Sequence, residues 1–217
     1  MKRLLFFIIC TSFFIACVVA QPRMRDVFAS MPDSLLPHIS KNNRLDCIDF
    51  AENDMEARVR NAFDENVMLE VLTDNYARFR TSPAAYIEMK LLPLGDSLVL
   101  CTSWTAQTER LADSRLRFFT LTWEPLPLDA FFAMPTMADF CTGAVTEEQA
   151  YDAQRAWRSL EYFHPVLAAL SPDNNSITLT MQTGDLDVDE RRAAADMVQP
   201  VTLEWEGQYT NKRGRAN

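Results

Sequence analysis

The chain has 217 residues with 48% hydrophobic content, and its 30 Asp and Glu against 21 Lys and Arg give a formal net charge of −9. An acidic balance argues against nucleic acid as a partner, because phosphate binding rests on clustered Lys and Arg, and the only basic cluster is Lys212, Arg213 and Arg215 in the tail. Five glycines leave little room for a glycine-rich phosphate loop, and no G-x-S-x-G or H-E-x-x-H pattern occurs.

Residues 1–20 start with Lys2 and Arg3, continue as an apolar run broken only by Thr11 and Ser12, and end on small residues before Gln21. This is the pattern of a secretory signal peptide cleaved after Ala20. A retained anchor would need about twenty apolar residues. Cleavage leaves 197 residues, enough to bury a core, and loss of Lys2 and Arg3 takes the net charge to −11. Phe14-Ile15-Ala16-Cys17 resembles a bacterial lipobox with Phe in place of the usual Leu. Lipidation at Cys17 is therefore the alternative, and only then would the chain be held at a membrane.

From Arg23 to Met31 the pattern predicts a short helix, and Pro32 and Pro37 make the following residues extended or turning. Ser40 suits a helix N-cap, with Leu45, Ile48, Ala51 and Met55 as the apolar stripe of a helix of about four turns. After a turn at Phe63 to Asn66 the chain reads as successive strands: VMLEVLT, YARFRTS, AAYIEMKLL, SLVLCTSW and RLRFFTLTW, each bounded by turn residues. That is the signature of an antiparallel meander. Tyr86, Glu88 and Lys90 alternate with Ala85, Ile87 and Met89, so one face of the sheet is expected to be wet and the other covered. Pro125, Pro127 and Pro135 mark a connection. Thr146 with Gln149 then fits a capping box opening a helix striped by Ala150, Ala153, Trp157 and Leu160. A strand ITLTMQ, a helix near Val188 to Val198 and a strand VTLEW complete the chain.

Two pieces echo one another: Thr120 to Glu124 (TLTWE) resembles Thr202 to Glu206 (TLEWE), and residues 91–100 resemble 169–179. The expected fold is α+β, an antiparallel meander sheet covered by helices, built either as one compact unit or as two similar αβ halves. The expected parts are the leader 1–20, a helix plus meander over 21–128, and a second αβ half over 129–217 packed with the first.

The acidic run TGDLDVDERR places Asp185, Asp187 and Asp189 at positions 1, 3 and 5 of a calcium loop with Asp196 at position 12. Glu190 stands where such a loop needs glycine, and Asp187 with Glu190 reads better as a helix cap, so neither metal nor cofactor is expected. The two histidines, His38 and His164, both adjoin proline and lack an identifiable partner for general-base work. Cys47, Cys101 and Cys141 allow one disulfide at most in an oxidising compartment, and read more simply as small buried residues. Asp46 with Asp49, and Glu52 with Glu56, read as a solvated acidic face. Trp104, Phe118, Trp123, Tyr162 and Trp205 are the aromatics on expected strands, and Trp104, Trp123 and Trp205 are the candidate ligand contacts.

MPDSLLPHISKNNRLDCIDF (31–50), LTDNY (72–76), IEMKLLPLGDSLVL (87–100) and DSRLRFFTLTW (113–123) together resemble an uncharacterised, signal-peptide-bearing domain of unknown function found in Bacteroidales. The resemblance implies export to the periplasm or outer envelope and brings no activity, cofactor or catalytic residue. Asp33-Ser34-Leu35 and Asp96-Ser97-Leu98 also resemble the short Asp-Ser-aliphatic O-glycosylation sequence of that bacterial group, though both read as ordinary turns. The function expected is a non-enzymatic envelope protein that binds a protein, peptide or glycan partner. A carboxylate-based hydrolase acting on envelope or dietary polymers is the alternative.

Overall fold

The computed structural model describes residues 21–141 and 150–210. Helices α1 (Met24–Ala29) and α2 (Lys41–Glu52) precede β1 (Arg58–Arg60), β2 (Asn66–Leu72), β3 (Tyr76–Ser82), β4 (Ala85–Leu94), β5 (Ser97–Gln107), β6 (Ala112–Phe119) and β7 (Pro125–Leu126). These seven strands pair in sequence order as one antiparallel sheet, the meander that the turn spacing predicts. Next come α3 (Ala150–Tyr162), β8 (Val166–Leu170), β9 (Ser176–Met181), α4 (Val188–Met197), β10 (Val201–Trp205) and β11 (Tyr209–Thr210). Their strands form a second antiparallel sheet in the order β11-β10-β9-β8, so the fold is α+β. The expected capping box at Thr146 and Gln149 lies outside the described residues, as do residues 1–20 with Cys17 and the basic cluster Lys212, Arg213 and Arg215.

Helix α2 starts where Ser40 predicts, with the Asn43 N–H donating to Ser40 Oγ at 3.2 Å. Its apolar stripe is corrected. Leu45 is 41% exposed, Met55 is 52% exposed and lies beyond the helix end, and the buried face is Arg44, Cys47 and Ile48. The reason is Arg44. Its guanidinium donates to Ile39 O at 2.8 Å and to Met31 O, and pairs with Asp33 at 2.9 Å. The helix turns so that this cation can satisfy the carbonyls of the turning segment before it, which has no regular secondary structure to do so. Met31, Leu36 and Ile39 of that segment then pack with α1, Ile48 and one face of the large sheet.

The expected wet face is also corrected: Tyr86, Glu88 and Lys90 are 5%, 3% and 1% exposed. Ile87, Met89 and Leu91 face α1 and α2, while the opposite face is covered by the second sheet. Alternation of polar and apolar residues normally marks solvent on one side. Here the polar side chains replace a partner strand for the free edge of β8. Val166, Ala168 and Leu170 donate their N–H groups to Asp113 Oδ1 (3.2 Å), Ser114 Oγ (3.0 Å) and Glu88 Oε2 (3.3 Å). Ser103 Oγ returns a bond to Ala168 O at 2.6 Å. Three N–H groups and one carbonyl at this edge of β8 are thus satisfied although no described strand lies beside it.

The echo between the two tryptophan segments does not survive. Residues 202–205 lie in β10, whereas β6 ends at Phe119 and Thr120 to Glu124 form a turn in which Trp123 takes φ 66°. The other echo does correspond to shared structure, since 91–100 and 169–179 each carry a strand, a turn and a strand.

Candidate functional site

Strand β6 has a full partner in β5 but only a stub in β7, which meets Phe118 and Phe119 alone. Pro125 is the first residue of that stub and Pro127 follows it, and proline ends a ladder because it lacks a donor. Thr120 N–H donates toward the β7 side, to Glu124 O at 2.9 Å. A strand's backbone polar groups alternate sides with period two, so those of Phe118, Leu116, Ser114 and Ala112 point the same way. Leu126 pairs with Phe118, and Gln182 Oε1 accepts from Ala112 N–H at 3.3 Å. Between them the backbone groups of Ser114 and Leu116 have no strand partner among the described residues.

An open cleft of about 620 Å³ runs along this edge. Its lining includes six consecutive strand residues, Ser114 to Phe119, which places it beside the strand rather than over either sheet face. Pro32, Ser34, Leu35 and Trp123 wall it on the α1–α2 side. Val166, Ala168, Leu179 and Phe132 wall it on the side of the second sheet, and Leu128 and Met134 stand exposed at its rim. The lining is mostly apolar, as in pockets that bind by burial, with unpaired backbone groups to give direction.

Its charge is as telling. Among the described residues Arg115 and Arg117 are the only charged ones in the lining, and no carboxylate is among them. Arg117 lies over the Trp104 ring, 5.5 Å from its centroid, and no described residue forms an ion pair with Arg115. By contrast Arg78 and Arg80, on the same sheet, both pair with Glu70.

Glu88, the more deeply buried of two buried glutamates among the described residues, is elsewhere. Burial pushes its carboxyl above the ordinary glutamate range, against the opposing pull of the Tyr76 hydroxyl, Arg78 and the Leu170 N–H. Tyr76 donates to it at 2.7 Å, and burial together with that carboxylate drives the phenol upward in turn. With Leu170 docked on its other oxygen, Glu88 joins the two sheets and is closed to substrate.

The residues singled out from the sequence fall apart in space. Trp123 lines the cleft but is buried, its indole N–H donating to Val27 O at 2.8 Å. Trp205 of β10 is buried behind Phe118 and outside the cleft lining, donating to Pro93 O at 2.6 Å and stacked near Phe118 and Phe131. Trp104 is half-buried beneath Arg117. The structure thus brings the three tryptophans to three places, with one at the cleft. Tyr162 is 93% exposed at the end of α3. His38 packs on Phe63 at 4.4 Å between ring centroids, and His164 Nδ1 meets Leu160 O at 2.8 Å. Asp187 caps α4 through the Asp189 and Glu190 N–H groups and pairs with Arg155, and the described residues contain no cluster of metal-ligating type. Cys47, Cys101 and Cys141 are free thiols, and burial raises all three, Cys47 to about 11. Glu52 and Glu56 pair with Arg25 and Arg58. The cleft itself was signalled in the sequence only by the proline pair after RLRFFTLTW, which shortens the next strand.

Residues 16–209 match the family described as Protein of unknown function (DUF3256). A solved structure, described as a domain of an uncharacterized protein from Porphyromonas gingivalis W83, superposes with a TM-score of 0.73 at 25% identity, covering 88% of this chain and 98% of that one. No curated protein matches the chain.

Proposed function

We propose that this chain, which belongs to the family described as Protein of unknown function (DUF3256), is an exported, non-enzymatic binding or accessory protein of the cell envelope. Its ligand is an extended peptide segment taken up as an added strand along β6. The observation that carries this reading is the coincidence of an unpaired strand edge at Ser114 and Leu116 with apolar walls on both sides. Exposed edges are normally blunted, because they template pairing with another chain. A peptide added to such an edge gains main-chain hydrogen bonds, and its alternate side chains enter the flanking walls. Export rests on the leader pattern of residues 1–20.

A peptide fits better than a glycan, since the half-buried Trp104 ring has Arg117 over one face and does not line the cleft. The hydrolase alternative finds no support in a cleft whose described lining holds no carboxylate. The test is amide hydrogen exchange of the leader-free chain with and without a blocked heptapeptide of alternating Val and Thr. Slowed exchange at the Ser114 and Leu116 amides is expected. Binding with no protection of β6, or protection by a fatty acid and by no peptide, would refute it.

A further inference from the structure

We infer that the segment docking on β6 alternates acidic and apolar side chains, with its carboxylates set against Arg115 and Arg117. This rests on the strand-addition reading above and specifies its partner. Side chains of a strand point to opposite faces with period two, and an added strand places its own side chains beside those of its neighbour on each face. On β6, Leu116 and Phe118 share the face of Val166, Ala168 and Leu179, which is apolar. Arg115 and Arg117 lie on the other face. A strand beside them meets hydrocarbon on one face and, on the other, two guanidinium groups beside the apolar wall of Leu35 and Trp123.

Two arginines and no carboxylate in the lining is an unexpected distribution for a chain of net charge −9. Elsewhere on this sheet Arg78 and Arg80 share Glu70. Arg115 lacks such a partner among the described residues, so a carboxylate from outside completes the pattern. The same charges argue against a second copy of this chain as occupant. Antiparallel pairing of two β6 edges would set the arginines of one copy against those of the other, and like charges across a strand pair destabilise it.

The experiment compares blocked, fluorophore-tagged heptapeptides VEVEVEV, VTVTVTV and VKVKVKV by anisotropy against the leader-free chain at low salt. Two cross-strand ion pairs predict that the Glu peptide binds about 2- to 30-fold tighter than the Thr peptide, with the Lys peptide weakest and the spread shrinking as salt is added. Arg115→Glu, an exposed position that tolerates substitution, narrows the Glu preference, and Arg115→Glu with Arg117→Glu reverses it; circular dichroism verifies that each variant is folded. Equal affinity for all three peptides overturns the charge inference and leaves strand addition standing. Failure of all three to bind β6 overturns both. A concentration-dependent dimer lost in Arg115→Glu would assign the edge to a second copy instead.

Discussion

Replacing Arg44 with Met tests the account of the 31–40 segment most directly. The substitution leaves Met31 O and Ile39 O without their donor, in a region where both residues are 2% exposed. An orphaned buried acceptor costs about 1–3 kcal/mol. Loss of the buried cation relieves its own desolvation and Met refills part of the volume, which offsets some of this. Asp33 is 67% exposed and returns to water, so the ion pair itself contributes about 0–1 kcal/mol. The net expectation is a loss of about 2–4 kcal/mol, or a fall in Tm of about 4–16 °C for a chain of this size. Urea titration of the leader-free chain, followed by far-ultraviolet circular dichroism, measures it, with Asp33→Ala as the control losing about 1 kcal/mol or less. Arg44→Met within about 0.5 kcal/mol of the parent, or Asp33→Ala matching it, would show that the carbonyls do not depend on Arg44 and refute the reasoning.

Three further outcomes are expected. Ile48→Asp unfolds the chain at ambient temperature, because it buries an unpaired charge, whereas Leu45→Asp, on the exposed flank of α2, changes Tm by only a few degrees; equal damage from both would sink the revised helix orientation. For Glu88, burial raises the folded carboxyl above its ordinary value of 4.5, so the folded chain holds this proton more tightly than the unfolded one. Stability from this group is therefore present at low pH and lost as pH rises through the folded value. The Tm of Glu88→Gln minus that of the parent should grow with pH from 4.5 upward, and a difference that shrinks would reverse the assignment. Among the thiols, half-buried Cys141 should react with iodoacetamide well before Cys47, whose thiol burial pushes up to about 11; peptide mapping of the labelled native chain would expose the opposite order.

Much of the fold was readable in the chain. Strands β2 to β6 fall within a few residues of the five runs read from alternation and turn residues, and the caps at Ser40 and Asp187 stand where their side-chain chemistry places them. These features are local: a turn, a cap or a run of β-branched residues needs only its neighbours. Apart from the local turn at Thr120 to Glu124, the misreadings involve long-range partners. The expected apolar stripe includes Leu45 and passes over Arg44, because periodicity cannot register that Met31 and Ile39 present carbonyls in need of a donor. The three tryptophans looked equivalent as aromatics, yet Val27 O and Pro93 O, both far off in sequence, hold Trp123 and Trp205 inside.

By itself the amino-acid sequence determined the α+β class, the order of the meander and the acidic charge, since each is a sum over neighbours or over the whole composition. Only the tertiary structure decided that the polar face of the meander is buried, that Glu88, Ser103 and Ser114 stand in for a strand beside β8, and that β6 is left with an open apolar edge flanked by Arg115 and Arg117. The groups that stand in for a strand beside β8 come from residues 50 or more positions away. Alternation along a strand is the same whether the polar side meets water or another backbone.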